Sequence, residues 1–259
     1  MKIIEATDES TILVTHHESD TSHLEHITRN KITISDKWNG QFPFEIYHLL
    51  YTLVHEKQCE KGLYSVHGAC VSDENSAYLL IGHSGAGKST ISLDLIQHHQ
   101  MKMLSGNKTI VSFDESDHMI ASAGTTTMTI RGDQRTQHEK LLGDHSEYYG
   151  RIAFELVPEL YEQSIKSVKA IIIVRIASDY EKFFELVEPT TALHTLYSYF
   201  MDKINNDAIM FHSTRIVTHK YHPDVPNYLI EHLQKALAHI PVYKANGSLD
   251  FISSNIVAL

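Results

Sequence analysis

One octapeptide limits what this chain can fold into more than any other part of it. Gly82-His83-Ser84-Gly85-Ala86-Gly87-Lys88-Ser89 satisfies the pattern GxxxxGK[ST] in full, and Gly85 adds a third glycine inside it. An apolar stretch, Tyr78-Leu79-Leu80-Ile81, precedes it, and Thr90 leads into a run with Ile91, Leu93, Leu95 and Ile96. Strand, glycine-rich turn and helix form the context that makes such a pattern a phosphate-binding loop. The glycines permit positive φ and close approach of backbone to phosphate, so that successive N–H groups face one anion. Lys88 sets a point charge against the outer phosphates. Ser89 is a hydroxyl of the type that ligates Mg²⁺, and the helix starting near Lys88 turns its positive end the same way. Residues 82–90 are therefore the candidate binding residues for ATP, with GTP as the alternative, and for Mg²⁺. A glycine-rich turn without a ligand is the competing reading.

The rest of the composition narrows the partners. With 259 residues the chain suits one large α/β domain or two small ones. Its 22 basic and 32 acidic residues leave a net charge of -10, which repels the phosphate backbone of nucleic acid. Cys59 and Cys70 form no CxxC pair, so a reducing, cytoplasmic setting is expected. The apolar runs 77–81 and 170–176 are too short to span a bilayer, so a soluble protein is expected. Histidine is frequent, and His23/His26 and His219/His222 stand three apart, as metal ligands on one helical face would. No cysteine or carboxylate cluster completes either pair, so they read as solvated, as do His16-His17 and His98-His99.

Residues 1–60 read as an N-terminal α+β addition, with short strands near 2–6, 10–15 and 31–35 and an amphipathic helix over 44–57. Residues 61–259 read as the phosphate-loop domain. It begins with a strand over 64–71, a turn at 72–75 and a strand over 77–81. A helix from 88 to about 97 follows, then strands over 109–113, 118–121 and 126–130. The polar segment 132–149 reads as a mobile loop or lid, and 168–175 as a strand buried on both faces. Helical patterns cover 190–204 and 226–238, and the tail from 242 returns to a strand and then an irregular or helical end.

From Ser65 onward the order of elements resembles the catalytic domain of the HPr kinase/phosphorylase family. Val66-His67-Gly68-Ala69-Cys70-Val71 is similar to that family's strand with a His-Gly or His-Ala step, one hairpin before the phosphate loop. Residues 82–90, Met103-Leu104-Ser105, 168–175 and Ile240-Pro241-Val242-Tyr243 follow in the family's order. The resemblance, over about residues 63–245, implies a mixed β-sheet akin to phosphoenolpyruvate carboxykinase. It also implies a kinase that transfers the γ-phosphoryl group of ATP to a hydroxyl of a small molecule, a peptide or a carrier protein.

One departure bears on catalysis. The family ends the strand after the loop helix with paired aspartates, a base and a metal ligand; here Gly106 and Asn107 stand there, followed by Lys108. Gly106 accepts no proton, and Asn107 reaches a metal only as a neutral ligand. Ser89 and Asn107 are thus the candidate Mg²⁺ ligands. His67 and Asp114 are the candidate replacement bases, each weighed against an ordinary polar residue at a strand end. Lys108 is a candidate for stabilising transition-state charge, as Lys88 is. Gly124-Thr125-Thr126-Thr127 and Arg131 offer a hydroxyl-rich contact surface, or else a turn and an exposed strand. Arg175, on a buried strand, reads as an anion clamp or half of an ion pair. The apolar strand ends in Arg175, not Asp, which argues against an ordinary NTP hydrolase. Two readings stay open beside the kinase: a catalytically silent nucleotide-binding regulatory module and, ranked last, a plain NTP hydrolase; a homo-oligomer is the assembly expected among its partners.

Overall fold

The structure, a computed structural model, describes residues 2–4, 13–18, 23–27, 31–36, 54–55, 57–131, 138, 141–148, 151–177, 179–206, 209–212, 215–218 and 224–259. The chain divides into two compact units, residues 1–62 with 201–227 and residues 63–200 with 228–259. In the first unit, strands β1 (Lys2–Ile4), β2 (Leu13–Glu18), β3 (His23–Ile27) and β4 (Lys31–Asp36) form a sheet of order β1-β2-β4-β3. His23 and His26 therefore lie on a strand and not on a helix. Of the helix expected over 44–57, residues 44–53 and 56 lie outside the described residues, while 54–55 and 57–60 are helical. His219 and His222 also lie outside them.

The second unit is mixed α/β. It opens with β5 (Tyr64–Val66), β6 (Gly68–Ser72) and β7 (Ala77–Ile81). The single strand expected over 64–71 thus breaks at His67. β5 pairs with a strand that comes later, β9 (Thr109–Phe113), whereas β6 pairs with β7 and with β8 (Lys102–Ser105). A chain that changes sheet neighbours in mid-run must bend, and nothing in an apolar run marks the place. The β6–β7 hairpin is closed by Asp73, whose Oδ1 accepts from Asn75 N and Ser76 N at 2.8 and 2.7 Å. Its Oδ2 accepts from Tyr78 Oη at 2.9 Å. This is an Asx-type turn, the reason aspartate favours such positions.

Helix α1 (Lys88–His99) buries Ile91, Leu93, Leu95 and Ile96, more than one stripe, because it lies against β6 on one side and a C-terminal helix on another. It stops where Gln100 turns left-handed, at φ 58. Strands β10 (Met119–Gly124) and β11 (Met128–Arg131) follow. The segment read as a loop over 132–149 holds a strand, β12 (Leu142–Tyr148), which pairs with β13 (Arg151–Leu156); β13 pairs in turn with β11. Residues 132–137, 139–140 and 149 lie outside the described residues. β12 is an edge strand of a small sheet, where few positions need to be apolar, so its sequence resembles a loop.

The core strand is β14 (Lys166–Ile176), parallel to β7 along one edge. It is followed by β15 (Phe183–Leu186) and α2 (Pro189–Asn206). The antiparallel hairpin of β16 (Ile209–His212) and β17 (Arg215–Thr218) belongs to the first unit. Helix α3 (Asp224–Ala236) then leads to β18 (Val242–Gly247), which runs parallel to the other edge of β14. The C-terminal helix α4 (Leu249–Val257) starts at Ser248, whose hydroxyl accepts from Phe251 N. The main sheet has the order β5-β9-β10-β14-β7-β6-β8, with β18 also on β14 and β15 on β18. Ala170, Ile171, Ile172 and Val174 are buried, as the apolar run predicts, but Arg175 is exposed. Its guanidinium carbon lies 4.9 Å from the centroid of the Tyr180 ring. No helix among the described residues is long and apolar enough to cross a membrane.

Two consequences are measurable. Leu80, with no exposed surface, pairs with Ala69 on one side and Ile172 on the other. Leu80→Ala is expected to lower stability by about 2–5 kcal/mol in urea unfolding, because the sheet on both sides prevents collapse into the gap. Glu162 is the second case. Partial burial opposes its charge, but hydrogen bonds from Ser164 N and Oγ and the Lys166 ammonium at 3.4 Å outweigh that and pull the carboxyl down to about 2 from 4.5. Its contribution is complete above about pH 4.5 and disappears as pH falls toward about 2. Glu162→Gln should therefore flatten the acid dependence of unfolding in that window, and an unchanged profile would refute this.

Candidate functional site

The site begins where β7 ends. Residues 82–87 turn through a loop that is tied back to the sheet: Ile176 N, at the end of β14, donates to Ala86 O at 2.9 Å, and Ala86 N donates to His83 O at 3.1 Å. Gly87 then starts α1 with φ 100, a left-handed conformation, and a Cβ there would lie 2.5 Å from the Ile176 side chain. Only glycine satisfies both conditions without strain. No side chain caps the helix and its first turn holds no acidic residue. The first amides of a helix have no intrahelical acceptor, so this end keeps both its donors and its positive dipole.

Lys88 is buried, with 8% of its surface exposed. Its Nζ donates to Gly82 O at 2.7 Å and to His83 O at 3.1 Å. The loop is therefore wound around the ammonium group, which fixes where that charge sits. Above it opens a cavity of about 520 Å³, lined by residues 84–90 together with His67, Gly106, Asn107, Thr129, Ile130 and Ile176. Most of the loop residues named from the sequence thus meet at one cavity with His67 and Asn107. Gly82 and His83 lie on the loop's other side.

His67 is the bend between β5 and β6, and the break in that strand brings it to the cavity wall. The turn carrying Gly106 and Asn107 is held from beneath. Gly106 N donates to Thr125 O at 2.8 Å, and Asn107 N and Lys108 N both donate to Thr125 Oγ1, at 3.2 and 3.0 Å. Buried Ser105 Oγ and Thr109 Oγ1 lie 2.6 Å apart, and Thr109 Oγ1 donates to Gly68 O at 3.1 Å. This relay connects the turn to the residue beside His67. The space a side chain at 106 would need is filled: a Cβ would lie 2.6 Å from Met128 Cγ and 3.1 Å from Thr127 O.

Other expectations fall elsewhere. Asp114 is not at the cavity; it closes the β9–β10 turn, where Oδ1 accepts from Ser116 N and His118 N at 2.9 Å each. The His118 amide first, and then Ser116, holds its carboxyl below the usual carboxylate range, which is the wrong direction for a base. Lys108 belongs to the supporting turn and is not among the cavity-lining residues. Thr125 and Thr126 use their hydroxyls structurally, Thr126 Oγ1 donating to Glu155 Oε1 at 2.7 Å. The Arg131 side chain lies outside the described residues. Thr129, Ile130 and Ile176 are the cavity residues that the sequence did not single out. For Thr129 a signal existed: it stands between apolar Met128 and Ile130, so strand alternation turns it away from the core that buries them, while Ile130 at the strand's end still borders the cavity.

Ser89 and Asn107 both line the cavity and could supply a hydroxyl and a carboxamide oxygen to a hard cation. Among the described residues, no group of three or more His, Cys, Asp or Glu could hold a metal ion. The arrangement thus offers an anion a buried ammonium and a helix N-terminus, and a hard cation two neutral oxygen ligands, with His67 at the same cavity.

No known protein family matches the chain, and no curated protein matches it. Among solved structures, the chain is similar to the HPr(Ser) kinase/phosphatase from Coxiella burnetii, at 12% identity over 74% of this chain and 87% of that one, with a TM-score of 0.35.

The loop geometry itself is testable by urea unfolding. Gly85 has φ 80 but open space around its missing Cβ, whereas Gly87 has both positive φ and the Ile176 contact. Gly85→Ala is expected to cost about 1–2 kcal/mol and Gly87→Ala distinctly more. Equal losses would mean that Ile176 does not brace the loop.

Proposed function

We propose that this chain is an ATP-dependent kinase, binding Mg²⁺-ATP at residues 82–90 and transferring the γ-phosphoryl group to a hydroxyl of a small molecule, peptide or carrier protein. The observation that carries the reading is the loop wound around Lys88 at the uncapped start of α1, opening on a cavity that also holds Ser89, His67 and Asn107. The loop amides and the helix dipole hold the phosphates, and Lys88 offsets charge on the outer ones. Ser89 and Asn107 would hold Mg²⁺, which when bound neutralises charge between the phosphates. In this scheme His67 accepts the proton of the acceptor hydroxyl as its oxygen bonds to the γ-phosphorus. The bond to the β,γ-bridging oxygen breaks and ADP leaves. Asp114 has no part in it.

A second reading is favoured by one specific feature. With Gly106 sterically closed to any side chain and Asn107 neutral, the paired carboxylates expected at these positions are absent, as in a nucleotide-binding module that senses ATP without transferring phosphate. The two readings separate in one experiment: calorimetry with Mg²⁺-ATP alongside transfer from γ-labelled ATP to a panel of hydroxyl-bearing metabolites and Ser/Thr peptides. For the kinase, Lys88→Ala should weaken ATP binding by about 100-fold. His67→Ala should lower transfer by roughly 10²-fold or more with ATP affinity unchanged. Tight binding with no transfer, and activity that appears only in Asn107→Asp, would favour the silent module. An Asp at 106 is not a useful variant, because Met128 and the Thr127 backbone occupy its space.

A further inference from the structure

The loop has a second side. Ser84, Gly85 and Ala86 border not only the cavity over Lys88 but also a larger one, of about 810 Å³, at the C-terminal ends of β14 and β18. The chemistry of the two cavities differs. The first presents hydroxyls, backbone amides and the buried ammonium. The second is lined by Ile173, Val174 and three aromatic rings, Tyr180, Phe183 and Tyr199, with Arg175 and Lys244 at hand.

The rings are not scattered surface residues. Tyr180 is 62% exposed, far more than the helix or strand packing of this unit requires, and the Arg175 guanidinium lies over it. Lys244 Nζ lies 5.7 Å from the Phe183 ring centroid. Tyr199 leans on His83, a residue of the loop itself, with centroids 5.7 Å apart and planes tilted by 45°. Asn246, only 5% exposed, lines the cavity and is anchored by donating from Nδ2 to Glu181 O at 2.7 Å. Flat rings beside one guanidinium and one ammonium suit a planar, electron-rich heterocycle.

We infer that this second cavity receives the base and sugar of the nucleotide, the polyphosphate crossing the crest of Ser84, Gly85 and Ala86 into the cavity over Lys88. The inference rests on the phosphate site proposed above and adds a direction to it. The nucleoside lies toward β14 and β18, which leaves the side of Asn107 and Thr129 to the phosphoryl acceptor. It also implies a specificity. Stacking accepts any π-face and grows with ring area, so ATP and GTP should bind alike and both better than pyrimidine nucleotides.

Calorimetry on the full chain with Mg²⁺ compares inorganic tripolyphosphate, ATP, GTP and CTP. ATP and GTP are expected to bind about tenfold or more tighter than tripolyphosphate, with CTP between. Tyr180→Ala, at an exposed position, should lose several-fold in ATP affinity and nothing in tripolyphosphate affinity. Photolabelling of the wild-type protein with 8-azido-ATP, followed by peptide mapping, should place the label within residues 173–186, 199 or 244–246. Tripolyphosphate binding as tightly as ATP would overturn the inference while leaving the phosphate site intact. Label outside those residues would do the same, and would leave the aromatic cavity to another occupant such as an apolar side chain of a peptide acceptor. Binding of neither ATP nor tripolyphosphate would overturn both proposals.

Discussion

The parallel pairing of β7 with β14 is the constraint from which the site follows. Both strands are buried among apolar neighbours, so their register is fixed by packing, and with it the height at which each one ends. β7 ends in the glycine loop, and β14 ends at Ile176, whose amide binds the loop and whose side chain fills the space beside Gly87. A loop of six residues is thereby held at both ends and from the side. Its carbonyls at Gly82 and His83 are left facing the Lys88 ammonium. The precision of the loop is borrowed from the core beneath it.

The rest of the site is assembled by polar contacts that contribute more to position than to overall stability. Thr125 holds the turn that presents Asn107, and the Ser105–Thr109 pair links that turn to the backbone beside His67. Ser105 and Thr109 are buried, where an unpaired hydroxyl would be costly, so each pairing fixes geometry as well as satisfying a donor. The charges at the cavity are few: one buried ammonium and one helix N-terminus, with neutral oxygens around them. Such a site attracts anions while the molecule as a whole, at -10, repels them. That contrast favours small phosphates over a polyanionic strand.

Much of the second unit could be read in advance wherever one local rule governs a segment. The strand over 109–113 has the limits expected from its sequence, and Ala170, Ile171, Ile172 and Val174 are buried because continuous β-branched residues suit a strand covered on both faces. The departures share a cause. The bend at His67, the strand at 142–148 and the structural use of Thr125 depend on which distant segment lies alongside, and periodicity within the segment carries no trace of that. Asp114 illustrates the same limit. Its place at a strand end suggested a base, but β9 runs away from the cavity, so its far end closes a turn with His118 and Ser116.

By itself the sequence determined the loop and its immediate flanks, because the glycines, the lysine and the serine act within nine consecutive residues and their geometry is set by backbone sterics and one helix start. It also determined that no carboxylate pair follows β8. Only the tertiary structure decided which side chains join the loop: His67 does, Asp114 and Lys108 do not, Thr129 does, and position 106 is closed to any side chain. Those outcomes come from sheet order and the steric reach of Met128 and Ile176, which join residues distant in the chain that no local pattern connects.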